Sequence, residues 1–586
     1  MGENHRGGQA SRPGTDDSDA GGIAMTDGGG GGDHGARFVE GWGWMRREVV
    51  NSGKTEAKLT NPVWLGFRNR ARSVEMNTNM THPNQESESR EVIVAERPAK
   101  TVSPSIQEGG RTVWTRSSRM GPPGSRERLQ WARTFGRLVA ADATELSRLA
   151  EEEISKPAWE TIAAEILPTV AACRWHARRA GRILADRRLR DRPWWLPGQS
   201  LRVTRVPHGR VGIIATWNYP IQLLGVQLVQ AVVAGNRVVV KPSERTPRTQ
   251  ARLLELASHA GLDEFELEVR SPERAAGAAL LEEAELDHVA FTGSTSVGRH
   301  VAIACAERLI PTTLELSGCD SVIVLEDADP VLAAKVAWAG LVMNHGQTCM
   351  APRRILVHEA IASRFTAALV PLAAGAAPRA LADRAAAARH RSLVADAVRH
   401  GAILASLGED DRDDEIVRPQ AAIGCPVEAE AFSADHFGPL VVTAIWKDEA
   451  SLLELHRRGG KHLATSIFTG DAGRAARLAP ALGGGMVTVN DTIIPFAHPA
   501  APLAPAGDSG WGVSQGIDGL LSMTRPLVVS RTGRLRIPPG EPDDRAKSML
   551  RRLVDFHGRG IDPPPPEARP VSESSREHPG NPPTER

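Results

Sequence analysis

The middle of the chain alternates short, fully apolar segments with longer segments of helical spacing, and this alternation restricts the possible folds more than any other feature. Val211–Ala215 and Arg237–Lys241 have the length and the branched side chains of buried strands. Leu223–Ala234 lies between them, has helical spacing and ends at Gly235. A strand, a helix and a second strand in this order form a βαβ unit, so we expect a parallel sheet.

The alternation extends in both directions and predicts two α/β domains. It resumes after Ser321, where a strand precedes a helix beginning at Pro330. Arg126–Ala185 has helical spacing throughout and predicts two or three helices. The remaining predicted elements are strands at Leu201–Val206, Asp287–Phe291 and Ile355–Val357, and helices at Thr249–His259, at Val297–Ala306 and from Ala360.

Both ends of the chain differ in composition from the middle. Residues 1–100 include five consecutive glycines, Gly28–Gly32, and residues 537–586 include Pro563–Pro566. Such segments bury too little apolar surface to offset their chain entropy, so both are expected to be disordered. Alternatively, part of the first segment reflects a mis-assigned start, because the methionines Met25, Met45, Met76 and Met80 could each begin a shorter chain.

Charge and cysteine content exclude several classes of protein. The net charge of +1 gives no reason to expect a nucleic-acid or anionic-membrane partner. The five cysteines are sparse and odd in number, which argues against a disulfide framework and fits a reducing compartment. They also lack zinc-ligand spacing, so no metal is expected.

No segment reads as a membrane span or a secretory signal. The most apolar stretch, Val211–Val240, is interrupted by asparagine, glutamine and proline, and a bilayer span needs ~20 mostly apolar residues. We interpret it as a buried segment of a soluble domain. The N-terminus lacks an apolar core followed by a small-residue cleavage site, so the protein is expected to be cytoplasmic.

Two motifs at the ends of predicted strands could bind a phosphorylated ligand. Gly293 and Gly298 flank a strand-to-helix junction, where free N–H groups can bind phosphate, although many such junctions bind nothing. Lys241 and Glu244 follow another strand and could contact ribose hydroxyls. A solvated salt bridge is the simpler interpretation of that pair.

Three further residues could carry chemistry. Asn218 could donate to an oxyanion or simply form a turn, and Glu315, flanked by leucines, could be a general base or a solvent-facing strand end. Cys349 could be a nucleophile, but a lone cysteine is usually a small core side chain. Each signal alone is modest.

Taken in order, however, the motifs resemble the aldehyde dehydrogenase superfamily. The likeness covers residues 110–535, from Lys156-Pro157 to the final strand Pro526–Val529. The motifs are WNYP (217–220), GN-x-VVVKPSE (235–244), FTGSTSVG (291–298), ELSG (315–318), GQTC (346–349) and FGP (437–439).

This resemblance implies the oxidation of an aldehyde to a carboxylic acid. Cys349 matches the family's nucleophile, Glu315 its general base, and Asn218 the side-chain donor of the oxyanion hole. The thiolate would add to the aldehyde, hydride would leave for the cofactor, and Glu315 would activate water to hydrolyse the thioester. The base favours hydrolysis over transfer to coenzyme A.

The resemblance also implies the cofactor. Lys241 and Glu244 match the adenosine-ribose contacts, and a carboxylate at Glu244 favours NAD over NADP, although NADP stays possible. The remaining matched cofactor positions are Trp217, Ser243, Gly293, Ser294, Val297, Gly298, Leu316, Asp435 and Phe437.

The family's architecture implies the domain boundaries. We expect a Rossmann-type NAD-binding domain at 101–314, a catalytic domain at 315–490, and a segment at 491–536 that returns to the first domain. A hairpin at about 193–207 and a strand at about 522–530 would form a β-strand oligomerisation flap. A homodimer or homotetramer is therefore expected.

Four departures from the family's pattern bear on activity. Ser317 replaces a glycine near the nicotinamide, Asp435 replaces a longer glutamate, and His436 replaces an aliphatic residue. The loop 502–507 replaces a stretch near the substrate entrance, so the aldehyde itself is not predicted. Two alternatives stay open: a coenzyme A-acylating or reductase relative, and a non-catalytic cofactor-binding scaffold.

Overall fold

The computed structural model describes residues 120–191, 193–194, 196, 198–283, 285–405, 414–460, 462–533 and 540–559. The expected disordered segment 1–100 lies outside these residues. The strands are β1 (Arg187–Leu189), β2 (Ser200–Pro207), β3 (Arg210–Ile214), β4 (Arg237–Lys241), β5 (Leu267–Val269), β6 (His288–Thr292), β7 (Thr312–Glu315), β8 (Asp320–Val324), β9 (Pro352–His358), β10 (Arg379–Ala380), β11 (Ile403–Leu404), β12 (Ile416–Val417), β13 (Gln420–Ile423), β14 (Leu440–Trp446), β15 (Ala464–Phe468), β16 (Met486–Val489), β17 (Gly510–Trp511) and β18 (Thr524–Arg531).

Helices alternate with these strands. They are α1 (Arg126–Ala141), α2 (Ala143–Ile154), α3 (Ala158–Thr161), α4 (Leu167–Ile183), α5 (Gln222–Val233), α6 (Pro247–His259), α7 (Arg274–Glu283), α8 (Thr295–Glu307), α9 (Pro330–Val342), α10 (Glu359–Ala374), α11 (Arg384–Arg399), α12 (Glu430–Ser433), α13 (Glu449–Arg457), α14 (Ala472–Leu482), α15 (Gly516–Ser522) and α16 (Asp544–Gly558). A π-helical turn, Ile162–Ile166, joins α3 to α4.

The predicted α/β fold with parallel sheets is confirmed. One sheet has six strands in the order β17-β7-β6-β3-β4-β5, all parallel except β17. The other has seven strands in the order β11-β13-β14-β9-β8-β15-β16, all parallel except β11. The chain passes from the first sheet to the second between Glu315 and Asp320.

The core of the first sheet comes from the apolar stretch identified in the sequence. Every residue of α5 is buried, and β3 and β4 are buried along almost their whole length. The interrupting polar groups are hydrogen-bonded: Gln227 donates to Thr292, and Asn236 donates to the Met523 carbonyl at 2.9 Å. The second of these bonds holds the C-terminal segment on the first domain.

The three-stranded sheet β1-β2-β18 begins earlier than the predicted hairpin. Its first strand is Arg187–Leu189, whereas the hairpin was predicted to start at residue 193. The arginine-rich sequence of β1 is exposed on both faces, so it lacks the alternation of apolar and polar residues by which strands are identified. The pairing of β2 with β18 runs from Pro207–Thr524 to Ser200–Arg531.

The prediction that residues 537–586 are entirely disordered is wrong for the described part of that segment. Asp543 accepts a hydrogen bond from the Ala546 N–H and caps α16. The helix also packs near Trp194, whose ring centroid lies 5.7 Å from that of Phe556. Helix hydrogen bonds are local, so a charged, helix-favouring sequence can form one without a large core.

Candidate active site

The predicted site residues lie at the carboxyl ends of adjacent parallel strands. From β3 the chain moves outward to β4 and β5, and it then returns to β6 on the other side of β3. In such sheets the crevice at this reversal is the usual ligand site. The loops after β3 and β6 carry Asn218 and Gly293, and β7 ends at Glu315.

The loop before Cys349 has an unusual backbone. Asn344 and His345 both adopt left-handed conformations, with φ of 47° and 53°, and Gly346 follows with φ of 77°. A left-handed conformation costs a non-glycine residue roughly 1–2 kcal/mol, so the surroundings must hold this turn. At Gly346 a Cβ atom would lie 2.6 Å from the Gly438 carbonyl carbon, which only glycine avoids.

Buried side chains from distant elements hold this loop. The Glu160 carboxylate accepts a hydrogen bond from the Asn344 N–H at 2.7 Å. The Arg353 guanidinium donates to the carbonyls of Gly346 and Thr348, at 2.7 and 3.1 Å, and to that of Gly438 at 2.7 Å. Hydrogen bonds with Glu160 and Arg353 therefore hold the turn in its strained conformation.

Asn218 is joined to the same loop. Its Nδ2 donates to the Gln347 carbonyl at 3.0 Å, and its Oδ1 accepts from the Thr216 hydroxyl at 3.0 Å. Because an amide has two N–H donors, one is left for a ligand beside Cys349. The orientation of the side chain is thus set before any substrate binds.

A buried ion pair fixes the backbone around Asn218. Lys156 Nζ lies 2.6 Å from Glu165 Oε1 and donates to the Asn218 carbonyl at 3.1 Å. Glu165, in the π-helical turn, also accepts from the Ile221 N–H at 2.8 Å. Burial lowers the pKa of Lys156, and the Glu165 carboxylate opposes that shift. Lys156 was expected only as part of the resemblance, and Glu165 was not predicted.

The Glu315 carboxyl group is almost completely buried. Burial raises its pKa to about 7, and the nearby Ser514 hydroxyl opposes part of the shift. Among the described residues, neither Glu315 Oε1 nor the Ser514 hydroxyl has a hydrogen-bond partner within bonding geometry. Glu315 is therefore a carboxyl group that can take or release a proton near neutral pH.

Cys349 is partly exposed and lies near the carboxyl groups of Glu315 and Asp320. Desolvation, together with the charges of Glu315 and Asp320, raises the pKa of its thiol to about 12. The thiol is therefore neutral in the resting protein. Forming the thiolate requires a proton acceptor or a ligand that changes this environment.

The predicted phosphate-binding turn begins α8. Ser294 caps the helix by accepting from the Val297 N–H at 3.4 Å. The Gly293 N–H donates to the Glu315 carbonyl at 3.0 Å, which ties the turn to the strand of the candidate base. A Cβ atom at Gly298 would overlap the Leu316 side chain, so a larger residue there requires Leu316 or α8 to move.

The predicted ribose contacts lie together after β4. Lys241 Nζ is 3.1 Å from Glu244 Oε2, and Arg274 Nε is 3.1 Å from the other carboxylate oxygen. Although burial opposes the shift, the Glu244 backbone N–H, Arg274 and Lys241 hold the pKa of Glu244 below its usual value. Ser243 is buried, and its N–H donates to the Gln250 side chain at 2.7 Å.

The predicted nicotinamide contacts come from loops of both large sheets. The ring centroids of Trp217 and Phe437 are 5.9 Å apart, so the loop after β3 meets the segment before β14. Asp435 is half-buried, whereas His436 is buried without a hydrogen-bond partner among the described residues. Ser317 is buried, and its carbonyl accepts from the Ser509 hydroxyl at 3.0 Å.

A cavity of about 360 Å³ has Cys349 in its wall. Its other lining side chains come from the early helices, α5, the Cys349 loop and the segment after β16, and they include Trp159, Leu223, Met350, Ile494 and Phe496. None of these five was predicted as a site residue. They lack motif spacing and come together only through the tertiary fold.

The altered loop 502–507 also reaches the site. Leu503 is buried and exchanges two backbone hydrogen bonds with Ser514, each with an N to O distance of 2.9 Å. This bridge places the loop beside the hydroxyl that faces Glu315. The departure from the family's pattern therefore lies next to the candidate base.

The described residues lack two further features. Of the helices in the part of the chain that the structure describes, none is long and apolar enough to cross a membrane. The described residues also contain no cluster of three or more side chains that could hold a metal ion.

Known proteins are similar to this chain in both fold and sequence. The crystal structure of an NAD-dependent aldehyde dehydrogenase from Sinorhizobium meliloti superimposes with a TM-score of 0.67 at 27% identity, over 72% of this chain and 84% of that one. The model of the aldehyde dehydrogenase family matches residues 118–529. The chain therefore belongs to the aldehyde dehydrogenase family.

Individual relatives differ in the aldehydes that their names give. The chain is 32% identical to a 4,4'-diapolycopene aldehyde oxidase from Methylomonas sp., over 65% of this chain and 72% of the relative. It is 30% identical to a glutarate-semialdehyde dehydrogenase from Pseudomonas putida, over 66% of this chain and 82% of the relative. Membership in this family supports aldehyde oxidation as the general activity of this chain.

Proposed function

We propose that the protein oxidises an aldehyde to a carboxylic acid with NAD through a thioester on Cys349. One observation carries the proposal. Cys349 lies in the wall of an apolar cavity, its loop is bonded to the Asn218 amide, and its thiol is electrostatically coupled to Glu315. A nucleophile, an oxyanion donor and a titratable base thus meet at one place.

The chemistry follows from these three groups. The partly exposed Cys349 thiol loses its proton to water, and the thiolate adds to the aldehyde carbon while Asn218 donates to the resulting oxyanion. The bound dinucleotide supplies the acceptor for the hydride that leaves this carbon. Glu315 then takes a proton from water, which attacks the thioester and releases the acid and the thiol.

Glu315 also favours hydrolysis over transfer to coenzyme A. A carboxyl group with a pKa of about 7 is ionised in a large fraction of molecules at neutral pH, so it can act as a base without leaving its buried site. The unpartnered Oε1 is free to accept a hydrogen bond from water. A relative that transfers the acyl group to coenzyme A would not need this base.

The residues present fit a nicotinamide dinucleotide. The exposed start of α8 at Ser294 and Ser296 offers N–H groups to a pyrophosphate, and Lys241 and Glu244 offer a cation and a carboxylate to a ribose. A carboxylate repels a 2′-phosphate, which favours NAD. The exposed Arg274 partly neutralises Glu244, so NADP stays possible.

We further propose a homodimer or homotetramer in the cytoplasm. The exposed side chains Leu527, Val528 and Val529 lie on β18 in the three-stranded sheet, where apolar residues favour contact with another copy. All five cysteines are free thiols, which fits a reducing compartment.

The first experiment follows NADH formation by purified protein with NAD and a panel of aldehydes. Parallel reactions contain NADP, coenzyme A, Cys349→Ala or Cys425→Ala as a control for loss of a thiol. Turnover with NAD alone that is lost only in Cys349→Ala supports the proposal. A requirement for coenzyme A would support the acylating alternative instead, and silence with tight NAD binding would favour a scaffold.

A further inference from the structure

We infer that the aldehyde is a neutral, apolar molecule whose tail extends past the cavity onto Trp159 and Ile494. This inference rests on the proposed function and names its substrate class. The relatives' names include both 4,4'-diapolycopene aldehyde and glutarate semialdehyde, so the comparisons leave the substrate class open. The chemistry of the cavity lining distinguishes between a neutral and a negatively charged substrate.

The cavity offers a carboxylate no cationic partner. None of the described residues that line it is an arginine, lysine or histidine. Besides the Cys349 thiol, the polar side chains in its wall are the Gln222 amide and the Tyr219 and Thr348 hydroxyls, and these hydroxyls are bonded to each other at 2.8 Å. An anion buried here would be desolvated without an opposite charge to compensate it, which is costly.

A nearby cation is already compensated. Lys156 Nζ lies 3.6 Å from the centroid of the Tyr219 ring, and Lys156 is not among the residues that line the cavity. Its charge is balanced by Glu165 at 2.6 Å. Glu315, whose charge acts on the Cys349 thiol in the cavity wall, would repel a negatively charged substrate rather than attract it.

The rim of the cavity continues the apolar surface outward. Trp159 and Ile494 both line the cavity, yet they are 63% and 68% exposed. Large apolar side chains with this exposure gain free energy when a ligand covers them. They therefore provide a binding surface for the part of an apolar substrate that does not fit inside.

The charge argument is tested with two aldehydes of similar shape, 4-methylbenzaldehyde and 4-formylbenzoate. We expect kcat/KM to be at least about 100-fold higher for the neutral compound. Phe496→Arg, which adds a cation to the half-buried wall, should reduce this ratio by about ten-fold or more. A wild-type ratio near one, or a preference for the carboxylate, would overturn the inference.

The rim is tested with straight-chain aldehydes of increasing length. We expect kcat/KM to rise about three-fold for each added methylene until the tail passes the rim. Trp159→Ala and Ile494→Ala should each raise KM for decanal by about ten-fold more than KM for propanal. Ile403→Ala removes an equally exposed side chain away from the cavity and should change neither.

The result with propanal distinguishes failure of this inference from failure of the proposed function. If it is oxidised by the wild type but not by Cys349→Ala, the proposed function stands whatever the other substrates show. In that case an equal loss for propanal and decanal in the rim variants, or no loss, would contradict the inference alone. If no aldehyde is oxidised, the proposed function itself fails.

Discussion

At the scale of the residue, the raised pKa of Glu315 predicts a pH dependence. A base must be ionised to act, so the rate of thioester hydrolysis should rise with pH through a midpoint near 7. The Ser514 hydroxyl lowers this pKa, so Ser514→Ala should move the midpoint to higher pH. Single-turnover rates across about pH 5 to 9 measure both effects. A flat profile, or a downward move in Ser514→Ala, would contradict the assignment.

Asn218 gives a second prediction at this scale. Asn218→Ala should lower kcat/KM by ~100–1000-fold, because one oxyanion donor is lost. Thr216→Val removes the partner of Asn218 Oδ1 but keeps the donor, so its loss should be much smaller. Steady-state kinetics of both variants, with circular dichroism to verify folding, provide the measurement. A loss below about ten-fold in Asn218→Ala would remove it from the mechanism.

Individual residues could be located from the sequence only where a motif marks them. Asn218, Glu315 and Cys349 each lie in such a motif, and the structure brings them to one region. Glu160 contacts the nucleophile loop from a distant part of the chain, and Arg353, just after the loop, joins it to the distant Gly438. No local pattern indicates such contacts, because they depend on the completed tertiary fold.

At the scale of the element, the Lys156–Glu165 pair predicts a large effect on stability. Lys156→Met leaves Glu165 buried without its cation, which should lower the free energy of unfolding by ~3–5 kcal/mol. Adding Glu165→Gln should recover part of this loss, since an amide oxygen can still accept from the Ile221 N–H.

The measurement is urea unfolding, with the exposed Lys335→Met as the control. The control should change the free energy of unfolding by less than about 0.5 kcal/mol. Equal stability of Lys156→Met and the wild type would show that the pair does not support the loop that carries Asn218.

The packing of α8 on β7 predicts an effect on cofactor binding. Gly298→Ala would force its Cβ against Leu316, displacing the start of the helix and raising the Kd for NAD by about ten-fold or more. Adding Leu316→Ala should restore part of the affinity. Gly277→Ala, where no atom lies within 4 Å, is the matched control. Calorimetry that shows an unchanged Kd in Gly298→Ala would refute the assigned turn.

Regular elements were predictable where their pattern is local. β4 has the predicted bounds, because an apolar run that ends at proline marks a buried strand clearly. α16 was missed, because a charged composition was interpreted as disorder although its residues favour helix. The π-helical turn was also missed, since it depends on Glu165 reaching Lys156 and Ile221 rather than on spacing.

At the scale of the whole molecule, the exposed apolar strand β18 predicts self-association. Light scattering after size exclusion should give a dimer or tetramer for the wild type, and Val528→Lys should shift it toward smaller species. Ile303→Lys alters a similarly exposed side chain on α8 and should leave the assembly intact. A monomeric wild type would contradict the proposed assembly.

The central claim is a thioester on Cys349 that Glu315 hydrolyses. It is tested most directly by mass spectrometry of Glu315→Gln after mixing with NAD and an oxidised aldehyde. We predict a burst of about one NADH per site and an acyl group on the peptide that contains Cys349, because acylation proceeds while hydrolysis is blocked. Continued turnover without an adduct, or an acyl group on another residue, would contradict the account.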